Sequence, residues 1–225
     1  MAAFTVGSSK EFLSVGGRPI IEWVLEEALA VAARCIIVTS PDKPQLFDYQ
    51  GPRVEIAVQN EPIGMGPAVC LDNVDDDVLV LNPDTIFFPS SPLPSFLALL
   101  EPSCFCVAVE EVLAEQVSKY GIVELNGAGG QIEKLLEKPQ PNETKSRLAV
   151  AGRFGMSREV YRFVKNWVAL NPPSGQEQHL TPVLSLALQA GFAGRTRTLL
   201  PTEMRLDCGS PDGYDHACEV VTASL

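Results

Sequence analysis

Residues Lys119–Pro139 read KYGIVELNGAGGQIEKLLEKP. Two apolar runs, Ile122–Leu125 and Ile132–Leu136, flank Asn126-Gly127-Ala128-Gly129-Gly130. Strand-forming runs of similar length around an Asn/Gly cluster predict a β-hairpin. Folding back brings Gly121 beside Glu137 and Lys138. One edge of the hairpin then presents bare backbone, a carboxylate and an ammonium. A carboxylate accepts hydrogen bonds from sugar hydroxyls, and an ammonium holds a phosphate. Gly121 lets a ligand approach the main chain closely. Taken alone, Glu-Lys-Pro at a strand end reads as a solvated turn, with proline ending the pairing. The flanking segments decide between the two readings.

Upstream, Arg18-Pro19 opens a helix, with Ile21, Val24, Leu25, Ala28 and Ala32 at helical spacing. Cys35–Thr39 and Val54–Val58 read as strands. Val78–Leu81 is a fully apolar strand followed directly by Asn82-Pro83-Asp84. Pro67–Asn73 and Leu93–Leu100 read as short helices, and Phe105–Val109 as a strand. Before Lys10, Phe4–Val6 reads as a strand remnant and Gly7–Ser9 as a loop. Downstream of the hairpin come a strand at Leu148–Phe154 and a helix at Arg158–Val168. A loop at Asn171–Gly175 and a helix within Glu177–Ala190 follow, the helix's regular start nearer Thr181. Short strands at Gly194–Leu199 and Glu203–Leu206 precede a closing helix at Pro211–Val221. Alternating helices and strands of this kind predict an α/β fold, and ligands in open α/β sheets bind beyond the carboxyl ends of strands. Gln59, Gly64 and Asp84 stand at such ends. Asp207-Cys208-Gly209 ends the last strand, with a plain turn reading of its own.

The chain has 225 residues, 46% hydrophobic and 20% charged, which fits one domain over residues 1–225 with a full core. A net charge of -11 argues against nucleic-acid binding through a broad basic surface. An acidic chain that handles phosphates needs local lysines or a metal ion to offset repulsion. No apolar run reaches membrane-spanning length, and Met1-Ala2-Ala3-Phe4 has no basic n-region, so a cytoplasmic location is expected. The six cysteines form no CxxC pair and read as reduced thiols, not zinc ligands. His179 and His216 stand beside no GxSxG motif, which leaves a hydrolase triad without support. No GxGxxG follows a strand, which disfavours a dinucleotide-dependent oxidoreductase.

In this order the segments resemble the sugar-1-phosphate nucleotidyltransferases, most of all the bacterial UTP–glucose-1-phosphate uridylyltransferase group. The family's Pro-Lys-Glu-Met-Leu-Pro-Val is matched by Ser9-Lys10-Glu11-Phe12-Leu13-Ser14-Val15. Its Gln…Pro-Leu-Gly-x-Gly-His-Ala-Val is matched by Gln59…Pro62-Ile63-Gly64-Met65-Gly66-Pro67-Ala68-Val69, with Pro67 where histidine is usual. Pro83-Asp84 matches the metal-binding Pro-Asp. Lys119-Tyr120-Gly121 and Glu137-Lys138-Pro139 match the sugar-phosphate segment. Gly175 to Thr181 resembles Gly-x-Glu-x-x-Leu-Thr, and Asp207-Cys208-Gly209-Ser210-Pro211 resembles Asp-x-Gly-x-Pro.

The resemblance implies a Rossmann-like nucleotide-diphospho-sugar transferase fold, with a mixed, mostly parallel central sheet and an added hairpin. It implies transfer of a uridylyl group from UTP to glucose 1-phosphate, giving UDP-glucose and pyrophosphate. Asp84 and Asp207 would hold Mg²⁺, and Lys10 would stabilise charge on the nucleotide phosphates. Gln59 would read the uracil edge, with Gly64 letting the base lie close. Lys138 would hold the sugar's phosphate, while Glu137, Gly121 and Glu177 would contact the sugar. Small-molecule substrates and a homo-oligomer are expected, with no nucleic-acid or membrane partner. The family's Gly-rich loop ending in Gly-Thr-Arg has no match before Lys10. Turnover is accordingly expected to be sharply reduced. The alternative is a catalytically impaired relative that binds a sugar nucleotide or a partner subunit.

Overall fold

The computed structural model describes residues 10–61, 63–127, 130–173, 175 and 177–224. The strand remnant and loop expected within residues 4–9 lie outside the described residues. So do Pro62, the hairpin-turn residues Ala128 and Gly129, and the loop residues Ser174 and Gln176.

In chain order the strands are β1 (Ser14–Val15), β2 (Arg18–Pro19), β3 (Cys35–Thr39), β4 (Val54–Val58), β5 (Val78–Leu81) and β6 (Thr85–Phe88). They continue with β7 (Cys104–Glu111), β8 (Gly121–Leu125), β9 (Ile132–Glu137), β10 (Leu148–Met156), β11 (Ala193–Thr198) and β12 (Met204–Asp207). The helices are α1 (Ile20–Val31), α2 (Met65–Ala68), α3 (Leu93–Leu97), α4 (Arg158–Leu170), α5 (Leu180–Gln189) and α6 (Pro211–Thr222). The expected α/β fold, with a mixed sheet and an added hairpin, is the one adopted. Strands β3, β4 and β5 have the bounds their apolar runs predict. The helix expected from Pro67 instead spans Met65–Ala68, and the one from Leu93 stops at Leu97. Strand β6 was not anticipated, although Thr85-Ile86-Phe87-Phe88 is a strand-forming run.

Within the span expected as one domain, the chain divides into two compact units. The first comprises Met1–Asn60, Leu81–Pro94 and Leu200–Leu225. Here β3 and β4 pair in parallel, from Cys35 opposite Val54 to Thr39 opposite Val58. Strands β6 and β12 pair antiparallel, from Met204 opposite Phe88 to Asp207 opposite Thr85. Helix α1 buries Ile21 and Leu25 against Ile37, Leu46 and Val54. Val15, Ile20, Ile86, Leu206, Cys208, Ala217 and Val221 make a second core around β6, β12 and α6. Deep burial of such side chains supplies roughly 1.5–3 kcal/mol each, so this shared core holds the β6–β12 register.

The second unit comprises Glu61–Val80 and Ser95–Leu199. Its sheet runs β11-β7-β10-β8-β9, with β5 also on β10. Strand β11 is parallel to β7; β7–β10, β10–β8 and β8–β9 are antiparallel. All side chains from Cys104 to Val109 are buried, as a central strand covered on both faces requires. The hairpin pairs as its sequence predicts, Gly121 opposite Glu137 and Ile122 opposite Leu136. Helix α4 is capped by Ser157, whose side chain accepts from the Val160 N–H, and it buries Val160, Tyr161, Val164 and Val168. Among the described residues no helix is long and apolar enough to cross a membrane. The six cysteines are free thiols, with Cys104, Cys106 and Cys208 buried.

Candidate active site

Asp84 ends the turn after β5, and Asp207 is the last residue of β12. Pairing of β12 with β6 sets Asp207 opposite Thr85. The Cys208 N–H continues the ladder by donating to the Asp84 carbonyl at 2.8 Å. Both aspartates are thereby carried to the same end of this small sheet. Their carboxylates converge on Gly209: a Cβ there would lie 2.9 Å from Asp84 Oδ2 and 3.0 Å from Asp207 Oδ1. The Gly209 N–H donates to Asp207 Oδ1 at 3.0 Å. Capping does not explain Asp207, because Ser210 caps α6 by accepting from the Gly213 N–H at 3.2 Å.

Two cations attend this pair. Lys10, at the start of a short 3-10 turn through Phe12, donates from Nζ to Asp84 Oδ2 at 2.5 Å. Burial alone would lower the Lys10 pKa, but the charge and hydrogen bond of Asp84 oppose it. With Glu11 and Asp207 adding, the ammonium is held above its ordinary value. Glu11 is itself buried and accepts from Lys43 Nζ at 2.7 Å, which fixes the turn that carries Lys10. Arg205 sits two residues before Asp207 on the same face of β12, and its Nη1 lies 3.2 Å from Asp207 Oδ2.

The donor set suits a hard divalent cation. Mg²⁺ takes one or two carboxylates and completes its octahedron with water and phosphate oxygens. Among the described residues no group of three or more His, Cys, Asp or Glu side chains is placed to hold a metal. Two carboxylates alone would leave an ion to complete its coordination with water and phosphate oxygens.

The second unit holds the other predicted residues. Gly121 and Glu137 are direct partners across the hairpin. Lys138 follows with a left-handed backbone (φ 46), its N–H bonded to the Tyr120 carbonyl at 3.1 Å. A non-glycine residue in that region costs roughly 1–2 kcal/mol, so the turn is imposed by its surroundings. The Glu137 carboxylate has His179 Nδ1 at 3.8 Å and Lys138 Nζ at 4.0 Å. His179 precedes α5 and was not singled out by sequence as a binding residue. Its place inside the Gly-x-Glu-x-x-Leu-Thr match was the available signal. Glu177, in the same segment, is exposed.

The glycines have packing reasons of their own. A Cβ on Gly121 would meet Thr181 at 3.1 Å and Val150 at 3.3 Å, so that position is tight before any ligand is considered. Gly64 has φ +111, and a Cβ there would fall 2.5 Å from the Gln178 carbonyl oxygen and 2.6 Å from its nitrogen. The Gln178 N–H bonds the Ile63 carbonyl at 2.9 Å, and the Gly66 N–H bonds the Gln178 carbonyl at 2.8 Å. Gly64 thus fastens its loop to the segment before α5. Gln59, in the first unit, closes β4 with its N–H bonded to the Thr39 carbonyl at 2.7 Å.

Comparison with known proteins agrees with the resemblance. The chain is 29% identical over 191 residues to the bifunctional protein GlmU of Methanococcus maripaludis, covering 83% of this chain and 44% of that one. It thus spans less than half of that relative. It is 28% identical over 216 residues to the UTP–glucose-1-phosphate uridylyltransferase YngB of Bacillus subtilis, covering 80% of this chain and 72% of the relative. A UTP-bound UGPase structure from Acinetobacter baumannii superposes with a TM-score of 0.81 at 22% identity, over 100% of this chain and 88% of that one. This last likeness bears on the fold alone. The nucleotidyl transferase family model matches residues 2–222, nearly the whole sequence. By that match, and by the ordered segments built into the two units, the chain belongs to the nucleotidyl transferase family.

Proposed function

We propose that the chain transfers a uridylyl group from UTP to glucose 1-phosphate, releasing UDP-glucose and pyrophosphate. The observation that carries this reading is the meeting of Asp84 and Asp207 at Gly209 with Lys10 beside them. A phosphate oxygen of the sugar phosphate attacks the α-phosphorus. The new P–O bond forms as the bond to the β-phosphate oxygen breaks, and pyrophosphate carries away the electron pair. No protein nucleophile is needed, so catalysis is positioning and charge neutralisation.

Each residue has a share in that work. Mg²⁺ held by Asp84 and Asp207, when bound, supplies positive charge to the phosphate oxygens. Lys10 adds an ammonium for the nucleotide phosphates, and Gln59 offers its amide to the uracil edge. Gly64 keeps the neighbouring loop close-packed where the base would lie. Lys138, at the left-handed turn after β9, takes the phosphate of the sugar. Glu137 accepts hydrogen bonds from hexose hydroxyls, the Gly121 main chain contacts the same group, and Glu177 is the outer candidate. The relatives named uridylyltransferases support the choice of nucleotide and sugar.

The test is pyrophosphate release from UTP and glucose 1-phosphate with Mg²⁺. Asp84→Asn and Asp207→Asn are each expected to lower kcat by about 10² or more, since removal of one preorganised electrostatic group has that effect. Turnover that survives either substitution, or full chelation of divalent ions, refutes the assignment.

A further inference from the structure

The two cations beside the acidic pair hold different oxygens. Arg205 sits on Asp207 Oδ2, leaving Oδ1 as the atom that faces Gly209. Lys10 sits on Asp84 Oδ2, which is the very atom that faces Gly209. Asp84 Oδ2 and Asp207 Oδ1, the oxygens that face Gly209, would hold a divalent ion placed between the two carboxylates. Arg205 can stay in place while such an ion binds. Lys10 would share its oxygen with the ion, and repulsion between two cations at close range opposes that.

We propose that Lys10 and the divalent cation exchange at Asp84 Oδ2, whereas Arg205 is a fixed positioning residue that aims Asp207. Arrival of the ion frees the ammonium, which then becomes available to the substrate phosphates. Cation binding and phosphate binding are thereby coupled through one side chain. The burial pattern agrees: the Arg205 side chain is 9% exposed, whereas that of Lys10 is 31% exposed and has room to move. Lys10 is carried on a turn whose acidic residue, Glu11, is tied separately to Lys43. The turn can therefore stay anchored while the Lys10 side chain swings. This inference rests on the metal role given to Asp84 and Asp207 above, and its test separates the two.

The measurement is Mn²⁺ affinity of the full chain without nucleotide, by calorimetry and by electron paramagnetic resonance. Simple electrostatics says that deleting either positive charge tightens cation binding. The exchange says that the two deletions act in opposite directions. Lys10→Met and Lys10→Gln are expected to tighten Mn²⁺ binding roughly three- to tenfold, the scale of a part-exposed ion pair relieved. Arg205→Gln is expected to weaken it about tenfold or more by releasing Asp207, with Arg205→Lys recovering part of the loss. Melting curves on every variant confirm that the fold is retained. Equal signs for the two deletions, or no tightening with either Lys10 variant, overturn the exchange. If Mn²⁺ binding still vanishes in Asp84→Asn, the metal role survives that failure. If neither the parent chain nor Lys10→Met binds Mn²⁺, both ideas fall together.

Discussion

Gly209→Ala separates the cost of folding from the cost of holding a cation. The added Cβ would stand 2.9 Å from Asp84 Oδ2 and 3.0 Å from Asp207 Oδ1. Relaxed non-bonded contacts to carbon lie at roughly 3.5 Å, so both oxygens must retreat by about 0.5 Å, the tolerance of a preorganised site. Mg²⁺ demands near-ideal octahedral geometry at roughly 2.0–2.1 Å, and both of the carboxylates proposed to hold it would be displaced together. The expected loss is about 10–100-fold in divalent-ion affinity, as for other changes that disturb ligand orientation. Stability should behave differently. Gly209 is not among the glycines with positive φ, so alanine suits its backbone. Reduced freedom of the unfolded chain then contributes about 0.4–1 kcal/mol in favour of the variant, offsetting the crowding. Calorimetric titration with Mn²⁺ and urea denaturation read the two quantities separately. Parental cation affinity in the alanine variant would refute the convergence of the carboxylates. Affinity lost only in step with a collapse of stability would refute the separation.

Gly64→Ala should be costly for folding, since its Cβ meets Gln178 main chain at a left-handed φ; a loss of roughly 2–4 kcal/mol in urea unfolding is expected, and a loss under about 0.5 kcal/mol contradicts the packing account. Glu137→Gln should raise KM for glucose 1-phosphate about tenfold with little change in KM for UTP; an equal effect on both substrates argues against a sugar role. Asp75 illustrates the pH dependence. Its hydrogen bonds to Arg162 and Arg158 hold its carboxyl well below the usual carboxylate range. A depressed folded pKa gives a contribution fully present above the unfolded value near pH 3.9 and lost as pH falls through the folded one. The stability difference between the parent chain and Asp75→Asn should therefore be flat from neutral pH to about pH 4 and shrink only in stronger acid. A difference that changes between pH 5 and 8 would contradict it.

Most of the local structure was legible because it depends on near neighbours in the chain. The hairpin follows from two apolar runs around an Asn/Gly cluster, and Gly121 does face Glu137. The run Cys35–Thr39 and the run Val54–Val58 carry their own bounds. Helix ends were less legible. Leu93 begins a helix of only five residues, and the chain around Pro67 turns into its helix two residues early. Family-like order of segments pointed to Lys10, Asp84 and Asp207 as a set. The geometry among them was beyond reach of local pattern, as was His179, whose partner Glu137 lies at the end of a distant strand.

What the sequence alone determined is which segments pair by proximity and which residue types are available: a lysine on a tight turn, two aspartates at strand ends, a carboxylate and ammonium at a hairpin's edge. Periodicity and turn chemistry are short-range, so they can be read without the fold. Only the tertiary structure decided that Asp84 and Asp207 share one point, because that follows from the antiparallel register of β12 on β6. Residues 74 apart, Lys10 and Asp84, became an ion pair only in the folded chain. The register is chosen by the joint burial of Ile86, Leu206 and Cys208 with α6, a long-range packing energy that no window of sequence contains.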